Sequence, residues 1–184
     1  RAFAIQQPVE WAIERILRGY DCPWLHLMSG RGHHFQWNIR RDSRAYGRLV
    51  EIGYLPDYLE GVYESPLGYS GEVVGVEHGV ASSGLSLLAE YLGHLIKEAA
   101  AVQCSIPVML TAVEAGPSQR GREVVSVDIS EYGDPLHLRA LRVPFSVYLK
   151  PKQQRQMLGE HHVETFPVTF LVPRDEMDAV RSIL

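Results

Sequence analysis

The sequence predicts an α/β (α+β) fold, with a mixed β-sheet core flanked by helices. Three observations carry that prediction. Apolar residues recur at helical spacing near the start of the chain and again over 85–99, short stretches of alternating or continuous apolar character read as strands, and no regular strand–helix–strand repeat links them. A chain of 184 residues with 46% apolar content can enclose one continuous core, so a single domain over 1–184 is expected.

Near the start, Pro8 falls close to a first helical turn, Val9, Ile13, Ile16 and Leu17 form one stripe, and Gly19 supplies the stop. Trp24-Leu25-His26-Leu27-Met28 reads as a strand, Ser29-Gly30-Arg31-Gly32 as a turn, and 34–39 as a second strand of strict alternation. In that second strand Phe35, Trp37 and Ile39 share one face, and His34, Gln36 and Asn38 the other. Residues 46–84 are rich in Gly, Tyr, Pro and Ser without a sustained period, which predicts irregular chain with short extended pieces. Leu85, Leu88, Leu92, Leu95, Ile96 and Ala99 predict a core-packing helix capped by Ser83 or Gly84. Strands are expected at 107–113 and 124–129 around a loop at 114–122, with further strands at 145–149 and 163–172 and a closing helix over 175–184.

Composition narrows the function classes. No stretch approaches the apolar length that spans a bilayer, and the start has neither a basic region nor an apolar signal core, so a cytoplasmic protein with no membrane partner is expected. Cys22 and Cys104 stand apart, which offers neither a disulfide framework nor a C-x-x-C ligand pair. The net charge of −4 speaks against a uniformly basic nucleic-acid binder, but its distribution is uneven. Residues 29–48 hold Arg31, Arg40, Arg41, Arg44 and Arg48 against one acid, Asp42, and residues 139–155 hold Arg139, Arg142, Lys150, Lys152 and Arg155 against none. Two segments that face phosphate would produce this pattern, as would two solvated basic edges.

One residue in the strand at 124–129 stands out. Val125, Val127 and Ile129 point one way, leaving Val124, Ser126 and Asp128 on the other face. A carboxylate set in an apolar strand calls for a cation or a hydrogen-bonding partner.

Two segments together resemble the archaeo-eukaryotic primase family, whose members include the small catalytic subunit of replicative primases and various primase-polymerases. Ser29-Gly30-Arg31-Gly32-His33-His34-Phe35-Gln36-Trp37 is similar to the family's second motif, a Ser-Gly turn rich in Arg and Gly that runs into a His at the start of a strand. Val127-Asp128-Ile129-Ser130, then Pro135-Leu136-His137-Leu138, then Arg142-Val143-Pro144-Phe145-Ser146-Val147 resembles the third motif and the stretch of chain on its C-terminal side. The resemblance implies a primase-like fold and a DNA primase/polymerase-type nucleotidyltransferase, which joins nucleoside triphosphates on a single-stranded DNA template beside other replication proteins. It implies Asp128 as the catalytic carboxylate and ligand of Mg2+ or Mn2+. Ser29, Gly30, Arg31, His34, His137 and Arg142 would bind nucleotide, and Arg40, Arg41, Arg44, Lys150 and Lys152 the nucleic-acid backbone. Two departures accompany it: two extra residues separate His137 from the basic position, and Arg142 stands where Lys is common.

The family's first motif, two acids alternating along a strand, has no counterpart in 1–28. Glu10 and Glu14 are four apart on a helix and Asp21 sits in a turn. The abrupt helical start leads to the expectation that the domain is truncated on its N-terminal side. The alternative is a catalytically inactive primase-like module that only binds nucleic acid. The adjacent pairs His33-His34 and His161-His162 raise the question of zinc, but neither Cys has a second ligand nearby in sequence, and His26, His78 and His94 read as ordinary strand, loop and helix residues.

Overall fold

The apolar stripe of the first helix decides where the core lies. Helix α1 spans Ala2–Gly19, and Val9, Ala12 and Leu17 are its buried positions. The computed structural model describes residues 2–29, 32–66, 71, 73–111, 123–129, 144–146 and 168–172. Six residues more than the sequence suggested are helical at the start, so Pro8 lies inside the helix. The helix ends at Gly19 as expected, and Tyr20 N–H still bonds to the Ile16 and Leu17 carbonyls.

Strands β1, Leu25–Ser29, and β2, Gly32–Gln36, form the expected antiparallel hairpin, in which Leu27 faces His34 and Met28 faces His33. The second strand is shorter than the alternation implied, because Trp37 to Arg40 leave the ladder.

The stretch read as irregular is largely helical. Helix α2 covers Arg44–Ile52, with Ser43 Oγ accepting from Tyr46 N–H as its N-cap, and helix α3 covers Asp57–Tyr63. Helix α4 runs over Val76–Ala101, with Gly75 in the cap position. Ser83 and Gly84 therefore lie inside α4 and do not cap it. Small residues mark these positions because backbones meet there. A Cβ on Gly84 would overlap the Leu49 carbonyl of α2, and one on Gly53 would overlap the Val80 carbonyl of α4. Tyr46, Leu49 and Ala81 form the apolar contact of this helix pair.

After α4 the chain forms β3, Val108–Thr111, and β4, Val125–Asp128, which pair in parallel with Thr111 opposite Asp128. Val108, Val125 and Val127 join Val9, Ala12, Leu92, Ile96 and Ala100 in the main core. Strand β5, Phe170–Leu171, pairs antiparallel with β1 and makes the three-stranded order β2-β1-β5. Pro144 and Phe145 lie in a turn, and Phe145 and Ser146, the described start of the strand expected at 145–149, are both bonded to Thr169. Phe145 N–H donates to the Thr169 carbonyl at 2.7 Å, and Thr169 N–H to the Ser146 carbonyl at 3.0 Å. The loop at 114–122 and the helix over 175–184 lie outside the described residues. The architecture is mixed α and β, with a parallel strand pair, an antiparallel sheet and helices packed on them. Among the described residues no helix is long and apolar enough to cross a membrane.

Candidate functional site

The pleat of the hairpin sorts its side chains onto two faces. Leu27, Ser29, His34 and Gln36 share one, while His26, Met28, His33 and Phe35 share the other, against which α1 packs.

On the face away from α1, Ser29 is 3% exposed and its Oγ lies 3.0 Å from His34 Nε2. The Ser29 hydroxyl also lies 3.4 Å from the Gly32 carbonyl. A buried hydroxyl in this position holds the imidazole of His34, itself half-buried, in one orientation. Ser29 is therefore built to position His34 more than to meet a ligand directly.

Asp128 occupies the exposed end of β4. Val125 and Val127 of that strand face the helical core, so Ser126 and Asp128 face away from it. Ser126 is hydrogen-bonded to Thr111 across the pair. His34 and Asp128 do not share one sheet among the described residues. Strand β2 belongs to the antiparallel sheet and β4 to the parallel pair. Helix α1 packs on both, and each polar row lies on the side of its own strand turned from that helix.

The register of β1 and β5 carries a further link. Leu27 pairs with Leu171 and Met28 with Phe170, so the next step of the antiparallel ladder puts Thr169 beside Ser29. Thr169 N–H and C=O both bond to the 145–146 backbone and so point away from β1, which places Phe145 and Ser146 on the outer side of β5, one strand removed from the strand that carries Ser29. Arg142 itself lies outside the described residues, as do Gly30, Arg31, His137, Lys150 and Lys152.

The first basic window is only partly available for phosphate. Arg40 forks onto Asp42, with Nε to Oδ1 at 2.9 Å and Nη2 to Oδ2 at 2.5 Å. This bond lowers the Asp42 carboxyl and raises the Arg40 guanidinium. Arg48 pairs with Glu51 at 2.6 Å. Arg41 and Arg44 are exposed at the start of α2.

The face beneath α1 holds a cluster that sequence reasoning missed. His26 is 1% exposed and stacks on Phe35 with ring centroids 4.2 Å apart. Its Nε2 lies 2.8 Å from His33 Nδ1. The outward nitrogens, Nδ1 of His26 and Nε2 of His33, are buried without a hydrogen-bond partner. His26 Nδ1 faces Glu10 Oε1 at 4.0 Å and Glu14 Oε1 at 3.8 Å, and His33 Nε2 faces Glu10 Oε2 at 3.9 Å. Burial, aided by the neighbouring His33 and His34, pushes His26 down to about 4. Burial and His34 likewise lower His33 against the pull of Glu14, and burial raises Glu10. At both imidazoles burial thus outweighs attraction to the nearby carboxylates. The one signal in the sequence was the i,i+4 spacing of Glu10 and Glu14 on an otherwise apolar helix face. Nothing local linked that face to residues 26 and 33.

In comparisons with family models, curated proteins and solved structures, nothing matches the chain.

Proposed function

We propose that this chain is a nucleotidyltransferase of the primase-polymerase kind, with a fold of the archaeo-eukaryotic primase type, acting on nucleoside triphosphates along a single-stranded DNA template. The observation that carries the reading is the link through Thr169, which ties the Pro-Phe-Ser run of one motif to the outer side of β5, in the same antiparallel sheet as the Ser29–His34 pair of the other. Two segments more than a hundred residues apart in sequence are thereby held in one sheet, which supports a shared substrate.

In this reading His34, oriented by Ser29, donates to a phosphate oxygen of the incoming nucleotide, with Arg31, His137 and Arg142 adding charge-assisted bonds. Gly30 lets the backbone approach phosphate. Arg41, Arg44, Lys150 and Lys152 track the template backbone, and Arg40 joins them when it leaves Asp42. Asp128 offers one carboxylate to Mg2+ or Mn2+ from an exposed strand end. One carboxylate with phosphate oxygens and waters meets the least that such an ion requires. When bound, the ion would neutralise charge on the attacking and leaving oxygens during phosphoryl transfer.

Asp128→Ala tests the reading in the intact protein, with Mg2+ and Mn2+ used in separate assays. Nucleotide incorporation is expected to fall by at least about a thousand-fold while single-stranded DNA binding changes less than about two-fold, since the carboxylate serves the ion and the basic residues serve the backbone. Incorporation at the wild-type rate by Asp128→Ala, or no incorporation by the wild type with either ion, would leave a nucleic-acid-binding module as the better account.

A further inference from the structure

The buried cluster beneath α1 leaves ring nitrogens without partners. The His26–His33 hydrogen bond occupies the two facing nitrogens, and the two outward ones, Nδ1 of His26 and Nε2 of His33, are buried without a hydrogen-bond partner. Both face carboxylate oxygens at 3.8–4.0 Å, too far for a hydrogen bond. Buried polar atoms left in this state are costly unless a cation lies between.

We propose that Glu10 and His26, with Glu14 beside them, bind one divalent transition-metal ion of the Zn2+ class between α1 and the β1–β2 hairpin, with His33 as the positioning group. The separations suit an ion better than a proton. A proton shared between nitrogen and carboxylate would draw the atoms to about 2.7–2.9 Å. The gaps are 3.8 and 4.0 Å. Two ligands about 2.0–2.1 Å from zinc stand roughly 3.4 Å apart in a tetrahedron and close to 4 Å when the angle opens. Imidazole with carboxylates is a donor set for zinc and its neighbours, whereas Mg2+ and Ca2+ favour oxygen alone.

Glu10, His26 and His33 each offer an atom within 4.8 Å of the others, but the two rings cannot both be ligands while they share a hydrogen bond, because ligation through both outward nitrogens would leave protons on both facing ones. His26 is the ligand of choice. Its Nδ1 faces two carboxylates, and its Nε2–H then donates to His33 Nδ1, the outer support that metal-bound imidazoles commonly have. His33 is left with Nε2–H directed at Glu10 Oε2, 3.9 Å away, so every proton has a place. Glu10 and Glu14 are four residues apart and share a helix face. Their side chains keep 21% and 25% exposure, which provides an entry path, and water would complete the ligand set. The ion would clamp α1 to the underside of the hairpin whose other face carries Ser29 and His34, and its binding does not depend on nucleotide chemistry.

The test uses the intact protein, stripped with a chelator and titrated with Zn2+ by calorimetry, with bound metal counted per chain. Wild-type protein is expected to take up one Zn2+. Joint Glu10→Gln and Glu14→Gln substitution, which keeps side-chain shape at partly exposed positions, is expected to weaken binding by about a hundred-fold or more. His33→Ala is expected to cost on the order of ten- to a hundred-fold. Asp128→Ala should leave this affinity unchanged, which separates the site from the ion of the proposed reaction. Circular dichroism in chelator checks that each variant is folded. The proposal is overturned if folded wild-type protein takes up no Zn2+, if the glutamine variant binds it as tightly as wild type, or if Asp128→Ala abolishes uptake.

Discussion

Ser29 and His34 form a hydrogen-bonded pair in which one member is buried and the other reaches the surface. If Ser29 acts through His34, the two substitutions must not be additive. Ser29→Ala is expected to raise the Kd for a nucleoside triphosphate about ten-fold, the value of one well-placed hydrogen bond, and His34→Ala somewhat more. The double variant should match His34→Ala alone. Fluorescence titration with a labelled nucleotide measures all three, and a double variant weaker by the product of the two single effects would show that Ser29 touches the ligand independently. Alternation in the sequence identified the face on which His34 lies. It carried no information about its neighbour His33, whose meeting with His26 and Glu10 is a matter of which helix covers the other face.

Helix α4 shows how small residues mislead when read locally. Gly79, Ser82, Ser83 and Gly84 interrupt its apolar period and read as loop, yet they line the side on which α2 and α3 approach. Tyr63 packs against Gly79, Tyr54 N–H donates to Ser83 Oγ, and Gly84 meets the Leu49 backbone. Gly84→Ala is expected to destabilise the protein by about 3 kcal/mol, because the clash is with backbone and cannot be relieved by a side-chain rotation. Gly47→Ala in α2, where a Cβ meets nothing within 4 Å, should instead stabilise by about 0.5–1 kcal/mol through helix propensity. Urea denaturation of both variants decides the matter, and equal midpoints would contradict the close crossing of α2 and α4. Leu92, Ile96 and Ala100, which pack on the strands, keep their helical spacing, so the second half of α4 was legible where the first was not.

For the molecule as a whole, acid is expected to be the weak side. His26 is pushed down to about 4, and His33 and His78 are also lowered, with burial the leading cause in each. His78 additionally shares a 2.8 Å hydrogen bond with Tyr46. The unfolded chain therefore binds protons before the folded one does. Their contribution is complete above about pH 6.5, declines as pH falls, and for His26 is exhausted near pH 4. His26 alone accounts for on the order of 2–3 kcal/mol across that window. In metal-free protein the urea midpoint should drop clearly between pH 7.5 and pH 5, and an unchanged midpoint would mean that these imidazoles are already charged in the folded state.

Periodicity by itself determined the stop of α1 at Gly19, the hairpin at Ser29–Gly32, the core strands bearing Val108, Val125 and Val127, and the outward row that ends in Asp128. Each of these follows from burying one apolar face, which leaves a signature within a few residues. Tertiary structure alone decided that 44–52, 57–63 and 76–84 are helical, that Thr169 joins Phe145 and Ser146 to the outer side of β5, and that Glu10 lies over His26 and His33. Those outcomes depend on contacts between segments distant along the chain, where backbone clearance and hydrogen-bond closure outweigh local propensity.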